Sequence, residues 1–254
     1  MNEPIKLGIG LPAYGSTLDV GHAAMWLGLG AMLASSQDKF TLQFMAEYHI
    51  NGIDLARNTI VYDAMKADCD WVFMIDADTF HRSTGKDGVA DAVGDAGVDI
   101  LQMIRDADRY DVDNTGYTRS FNGVGLIGAP VRGRGVGDTG VCVHGLTVDR
   151  DDQTGETYFG AKAWPMQLDA LIGKVQPVGR IGGACIAINL GWLRKFWSKG
   201  PWFEMKHDYS ERPRNARGED YFVCDGIYDR GGLVLCDGRF VPDHVDRRKL
   251  VGED

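Results

Sequence analysis

The chain has 254 residues, with 27 Lys and Arg against 36 Asp and Glu, a net charge of −9. Hydrophobic residues make up 44% and charged residues 25%, an ordinary globular composition. These values exclude a broadly basic coat for nucleic acid, although not a local basic groove. The length suits one α/β domain with elaborated loops or two small domains, and the lack of a linker-like segment favours one.

Five cysteines, at 69, 142, 185, 224 and 236, form neither an even set nor a CxxC pair. They predict reduced thiols in a cytoplasmic protein rather than a disulfide framework or a zinc knuckle. The N-terminus has no basic stretch followed by an apolar core, so no secretory signal is expected. The longest apolar run, Ala23 to Ala34, is broken by glycines and is shorter than the ~20 residues of a membrane span.

In chain order, residues 5–11 read as a buried strand ending in the loop Pro12-Ala13-Tyr14-Gly15. Thr17 then caps a helix over 18–34. Residues 40–47 alternate as a strand, and Asn51-Gly52 breaks the chain. Over 53–67, Ile53, Ala56, Ile60, Ala64 and Ala67 share a helical face. Residues 71–75, all apolar, read as a strand buried on both faces, as in a parallel sheet. This alternation predicts right-handed crossovers and an open α/β sheet.

Further on, 86–96 reads as a helix, 98–104 as a strand and 105–122 as a polar loop. Residues 141–148 and 157–163 flank a polar tip, Asp149 to Glu156, and read as a hairpin. The tip lacks the spacing of a calcium loop. Gly182-Gly183 lies in a strand spanning 181–189, a short helix follows at 191–197, and 198–218 is a long polar loop. A helix is expected over 219–230, with short strands at 233–236 and 239–241 just before His244.

The strongest chemical signal is Asp76-Ala77-Asp78 at the end of the third apolar strand. Ligands of open α/β sheets bind beyond the carboxyl ends of the strands. Two carboxylates delivered there suit Mg²⁺ or Mn²⁺, whose remaining sites take phosphate oxygens and water. An acidic turn capping the next segment is the plainer alternative. A phosphatase of the haloacid-dehalogenase type fits less well, because Phe80 stands where that pattern needs Thr or Val.

Around this pair the chain resembles a GT-A glycosyltransferase, close to the inverting family 2 group. The resemblance rests on Leu11-Pro12-Ala13-Tyr14, Ala56-Arg57-Asn58, Asp76-Ala77-Asp78, Ile181-Gly182-Gly183-Ala184-Cys185, Gly218-Glu219-Asp220-Tyr221 and Asp243-His244. It covers most of the chain in order, with a poor match over 105–175. It implies an open mixed sheet flanked by helices in one GT-A (Rossmann-like) domain. Residues 1–104 would bind the nucleotide sugar, and 105–254 would carry acceptor binding and catalysis.

The resemblance further implies that Pro12, Ala13 and Tyr14 hold the nucleotide base, with Arg57 and Asn58 also meeting the donor. Asp78 and His244 would ligate Mn²⁺ or Mg²⁺, with Asp76 reaching the metal, its water or the ribose. Gly182 and Gly183 would let donor phosphates or acceptor approach closely. Asp220, with Glu219 as runner-up, would be the base that takes the acceptor proton. The donor would be a nucleoside-diphosphate sugar, a UDP-sugar foremost.

The acceptor is open among glycans, small molecules and, as in stand-alone transferases of bacteria and bacteriophages, a hydroxymethylated DNA base. Arg105, Arg109, Arg119, Arg132, Arg134, Arg212, Arg214 and Arg217 are candidates for a phosphate groove. In the 198–218 loop, Trp202 and Phe203 suit sugar faces, while Lys206, His207 and the arginines suit phosphates, which together suggest a lid. His22, His49 and His144 show no ligand spacing, and His81 is held open for its nearness to Asp78. Two other classes fit the metal–diphosphate logic: a nucleotidyltransferase, or a non-catalytic nucleotide-sugar-binding module. Oligomeric state is not legible.

Overall fold

In the computed structural model, residues 5–13, 41–48, 52–76, 79–80, 100–115, 117, 120–131, 140–150, 157–205, 218–239 and 241–244 are described. The expected helices at 18–34 and 86–96 lie outside these residues, as do Tyr14, Asp78, His22, His49, His81 and most of the 198–218 loop.

Strand β1 (Lys6–Ala13) runs parallel to β2 (Thr41–Tyr48) and to β3 (Trp71–Ile75). β1 extends two residues beyond the expected strand, because Pro12 and Ala13 stay in register with Glu47 and Tyr48. The ladder to β3 stops at Gly10, so the missing proline N–H leaves no β3 carbonyl without a donor. Helix α1 (Ile53–Lys66) links β2 to β3 and buries Ala56, Arg57, Ile60, Val61 and Ala64. It settles closely on β1: a Cβ at Gly10 would stand 2.3 Å from Ile60 Cγ2. Asp54 in its first turn and Lys66 in its last complement the helix dipole.

A two-residue strand, β4 (Thr79–Phe80), follows Asp78. Residues 100–108 are helical (α2), not the strand expected at 98–104. Ile100, Leu101, Met103, Ile104 and Ala107 are buried while Gln102 and Asp108 are exposed, which is helical spacing. A short apolar run does not separate the two periods until its continuation is read, and the run continues as helix into the segment expected to be loop.

Beyond it come β5 (Val124–Gly128), which the sequence reading missed, and the hairpin β6 (Gly140–Arg150) and β7 (Thr157–Gln167), which it expected. Two short strands, β8 (Val175–Pro177) and β9 (Arg180–Ile181), precede β10 (Cys185–Asn189). Helix α3 (Leu190–Phe196) is capped by Asn189, whose side chain accepts from the Trp192 N–H at 2.9 Å. Helix α4 (Glu219–Asp229) leads to β11 (Leu233–Asp237) and β12 (Asp243–His244). Of the strand expected at 239–241, the described residues 239 and 241 are not in a strand. Gly238 instead turns the chain, donating to the Lys174 carbonyl at 2.8 Å, and Arg239 folds back onto Asp237.

Among the described residues the main sheet has seven strands in the order β2-β1-β3-β10-β5-β11-β8. It is mixed, with β10 antiparallel to both β3 and β5. Strands from residues 1–104 and from 105–254 share it. The central strands β3, β5 and β11 are buried at every position, matching helices packed over the sheet. A smaller sheet has the order β7-β6-β9, and β4 pairs with β12. All five cysteines are unpaired, four of them buried and Cys142 exposed. Among the described residues no helix is long and apolar enough to cross a membrane.

Candidate functional site

The antiparallel run of β10 brings two distant motifs together. Cys185 pairs with Ile75, so the start of β10 lies beside the end of β3. The Asp76 N–H donates to the Ala184 carbonyl at 2.9 Å, which places Gly182-Gly183 next to Asp76. On the other side, the Gly182 N–H donates to the Cys142 carbonyl at 2.6 Å and ties the glycine turn to β6. The start of α4 completes the enclosure. The result is a cavity of about 190 Å³ lined by Ile53 and Arg57 of α1, Asp76, the 182–184 turn, Val131, Cys142, Glu219 and Asp220.

Arg57 is the centre of this site. Its side chain is 2% exposed, and it joins carboxylates from two elements. Nη2 donates to Asp76 Oδ1 at 2.8 Å, and Nη1 donates to Glu219 Oε1 at 2.5 Å. Nε is buried without a hydrogen-bond partner among the described residues. Burial alone would drive the guanidinium toward neutrality, but Asp76 and Glu219 outweigh it and hold Arg57 charged. Burial pushes the Glu219 carboxyl up, and the pull of Arg57 offsets only part of that. The guanidinium thus engages carboxylates of its own chain, where the resemblance had set it against the donor.

Gly183 makes the arrangement sterically possible. A Cβ there would lie 2.5 Å from Arg57 Nη1 and 2.7 Å from Cζ. The second glycine of the pair therefore serves an intramolecular approach as well as lining the cavity.

Asp220 stands differently from Glu219. It is partly exposed, lines the cavity, and has no cationic side chain bonded to it among the described residues. Its oxygens accept from backbone: Oδ2 from the Gly183 N–H at 3.2 Å and Oδ1 from the Tyr221 N–H at 2.8 Å. Both acids occupy the first turn of α4, where the helix dipole favours negative charge. Cys142, exposed by surface area, still loses enough water in the cavity wall to have its thiol pushed up, with Asp220 adding to the push.

Asn58 faces away from this chemistry. Its Oδ1 accepts from the Trp202 and Phe203 N–H groups at 2.8 and 3.1 Å, and its Nδ2 donates to the Phe203 carbonyl at 2.6 Å. It clamps the chain after α3 onto α1. Trp202 and Phe203 are correspondingly buried, at 5% and 1% exposure, so they are core residues and not the sugar-facing aromatics expected of the loop. Phe203 lies under the Arg57 guanidinium, 5.7 Å from its Cζ to the ring centre. The sequence reading missed Cys142, Val131 and Ile53 in the cavity wall, since none carries a motif. It also passed over His144, whose partner Tyr221 adjoins Asp220.

Asp78 and the side chain of His244 lie outside the described residues. The backbone of His244 is described: in the β4/β12 pair it stands opposite Thr79, the residue after Asp78. Among the described residues no three His, Cys, Asp or Glu side chains form a metal-holding group. Asp76 gives one oxygen to Arg57, and the other has no partner among the described residues. That second oxygen is the kind of ligand a hard divalent cation takes. Of the eight arginines proposed for a phosphate groove, only Arg105 and Arg109 fall among the described residues, within and just after α2.

No family model matches the chain, and no curated protein matches it. Among solved structures it is similar to GalNAc-T7 crystallised with UDP, GalNAc and Mn²⁺, at 12% identity and a TM-score of 0.39, over 96% of this chain and 44% of that one. The chain therefore spans less than half the length of that protein. It is also similar to a mannose-1-phosphate geranyltransferase from Thermus thermophilus, at 14% identity and a TM-score of 0.36, over 98% of this chain and 80% of that one. Likeness at this level supports no inference about function.

Proposed function

We propose that the chain is a metal-dependent glycosyltransferase that moves a sugar from a nucleoside-diphosphate sugar, foremost a UDP-sugar, to an acceptor hydroxyl with inversion. The observation that carries this reading is the meeting of Asp76, Gly182-Gly183 and Asp220 around one cavity, three motifs far apart in sequence. Pairing of the His244 backbone with Thr79, immediately after Asp78, is in its favour as well.

In this reading Asp220 is the base. It faces the cavity without a bonded cation among the described residues, whereas the Glu219 carboxylate is committed to Arg57. Asp220 accepts the acceptor hydroxyl proton as the oxygen attacks the anomeric carbon. The bond from that carbon to the diphosphate oxygen breaks on the opposite face, and the nucleoside diphosphate departs. Asp78 and His244 would hold Mn²⁺ or Mg²⁺, with Asp76 reaching its water or the ribose, and the ion would supply the charge that neutralises the leaving diphosphate. Arg57 sets the direction of Asp76, and Pro12, Ala13 and Tyr14 at the end of β1 hold the base.

The test is nucleoside diphosphate release from a panel of nucleotide sugars, with and without Mn²⁺, alongside Asp78→Ala and Asp220→Asn. The expected result is slow metal-dependent hydrolysis of one donor, lost in Asp78→Ala. With the acceptor present, Asp220→Asn lowers transfer by about 10²-fold or more. Pyrophosphate as the product would make it a nucleotidyltransferase, and donor binding without turnover a binding module. No release and no metal-dependent binding would overturn the reading. A salt-sensitive shift of duplex DNA by the protein would point to a DNA acceptor.

A further inference from the structure

Three elements meet at Tyr221, the residue after Asp220. Its hydroxyl lies 2.9 Å from His144 Nε2 on β6. His144 Nδ1 lies 2.8 Å from the Lys162 carbonyl on β7. A carbonyl only accepts, so Nδ1 carries a proton; in the neutral ring Nε2 is then bare and accepts from the Tyr221 hydroxyl. The two rings meet edge to face, 5.2 Å between centres. Arg180 of β9 lies over the Tyr221 ring, its Cζ 5.3 Å from the ring centre, and is held there by two bonds to Asp225 of α4 at 2.9 and 2.8 Å.

These residues adjoin ones that line the cavity: Tyr221 follows Asp220 directly. Arg180 precedes the Gly182-Gly183 turn, and Cys142 lies two residues before His144, on the same face of β6. The β6/β7 register is irregular here: His144 pairs with Pro165 and Leu146 with Ala161, so residues 162–164 oppose Gly145 alone. The Lys162 carbonyl that His144 holds belongs to this bulge. Bulges next to functional sites re-aim the chain around them.

We propose that His144 and Tyr221 are positioning residues for Asp220. Resting on the transferase reading above, this assigns them the task of fixing the first turn of α4 against the β6–β7 hairpin, so that the Asp220 carboxylate keeps its direction into the cavity. The Tyr221 backbone N–H bonds Asp220 Oδ1 directly, so movement of Tyr221 moves the acid.

The test needs no known acceptor. Cys142 is exposed while the other four cysteines are buried, so alkylation of the native protein reads this thiol. Burial pushes this thiol up and Asp220 adds to the push, so its pH profile responds to a movement of the carboxylate. Among the described residues the other charged group facing Tyr221 is Arg180, itself paired with Asp225, and neither is altered in the variants. Tyr221→Phe keeps the ring under Arg180 and removes the one hydrogen bond. It is expected to shift the Cys142 alkylation profile and to lower kcat for donor turnover at least tenfold, with KM within twofold. His144→Ala gives the same result. His144→Gln, whose amide both donates to Lys162 and accepts from Tyr221, restores the native profile. Nitrogen-15 shifts of His144 show Nδ1 protonated and Nε2 bare. An unchanged Cys142 profile in Tyr221→Phe, or the opposite tautomer, overturns the proposal. A shifted profile in a protein that turns over no nucleotide sugar overturns the transferase reading and leaves the positioning of Asp220 standing.

Discussion

Replacing Gly183 by alanine puts a methyl group 2.5 Å from Nη1, 2.7 Å from Cζ and 2.9 Å from Nη2 of Arg57. An ordinary contact there would need about 3.5 Å, so the guanidinium must retreat by about 1 Å. It is not a free side-chain end, because Asp76 and Glu219 hold it from two sides. Retreat therefore breaks or lengthens both ion pairs in a buried setting. Overpacking a core costs about 1–3 kcal/mol, and breaking a buried ion pair about 3–5 kcal/mol. The cavity gives Arg57 room to shift and admits water to the freed carboxylates, so the lower end of the second range applies, about 3 kcal/mol. At a urea slope of about 3 kcal/mol per M, the midpoint falls by about 1 M. The control is Gly145→Ala, whose methyl meets only the exposed Lys162 side chain, at 3.1 Å, and loses under about 1 kcal/mol. Urea denaturation followed by tryptophan fluorescence and by circular dichroism measures both. A Gly183→Ala protein that unfolds within 0.2 M or so of the native one would refute the clamp around Arg57.

Arg57→Met leaves Asp76 and Glu219 without their shared cation and is expected to cost about 3–5 kcal/mol at pH 7. Part of that loss returns on acidification, as the stranded carboxylates protonate, and urea curves at two pH values check it. Because burial raises the Glu219 carboxyl, the folded state binds its proton more tightly than the unfolded chain does. Its contribution to stability is therefore most favourable below the ordinary glutamate range and declines as pH rises through the raised value. Glu219→Gln should flatten that slope in a pH series of denaturation curves, whatever it does to the plateau. Asn58→Ala strips acceptors from the Trp202 and Phe203 N–H groups and should cost about 3 kcal/mol, with faster hydrogen exchange at those two amides.

Several elements of the fold were legible because their signals are local. An unbroken apolar strand at 71–75, a helical face at 53–67 and a hairpin around a polar tip each carry their own period, and all three form. The errors arose where period and length conflict. The run at 98–104 is too short to separate strand from helix, and only the buried Ala107 one turn on decides it. β5, with glycines at two of its five positions, offers little side-chain pattern at all.

In the candidate site, sequence picked out Asp76, Gly182, Gly183, Glu219 and Asp220, and all five line the cavity. It did not separate their duties. Glu219 and Asp220 are neighbours of similar chemistry, yet Glu219 is bonded to Arg57 while Asp220 faces the cavity. Asn58 follows Arg57 in the same motif and holds the 202–203 backbone instead. The aromatics of that segment read as ligand-facing because a polar surrounding sequence implied exposure, and tertiary packing buried them.

The sequence by itself determined the chemistry available to this protein: the acidic pair after a buried strand, the glycine pair, and the acids at a helix start. Residue type and local period are properties of neighbours along the chain. Tertiary structure alone decided which of these groups meet and which partner each takes. That choice depends on β10 running antiparallel to β3, which sets the glycine turn against Asp76, and on the seating of α4, which gives Arg57 its second carboxylate. Both are contacts across more than a hundred residues, and a local pattern holds no information about them.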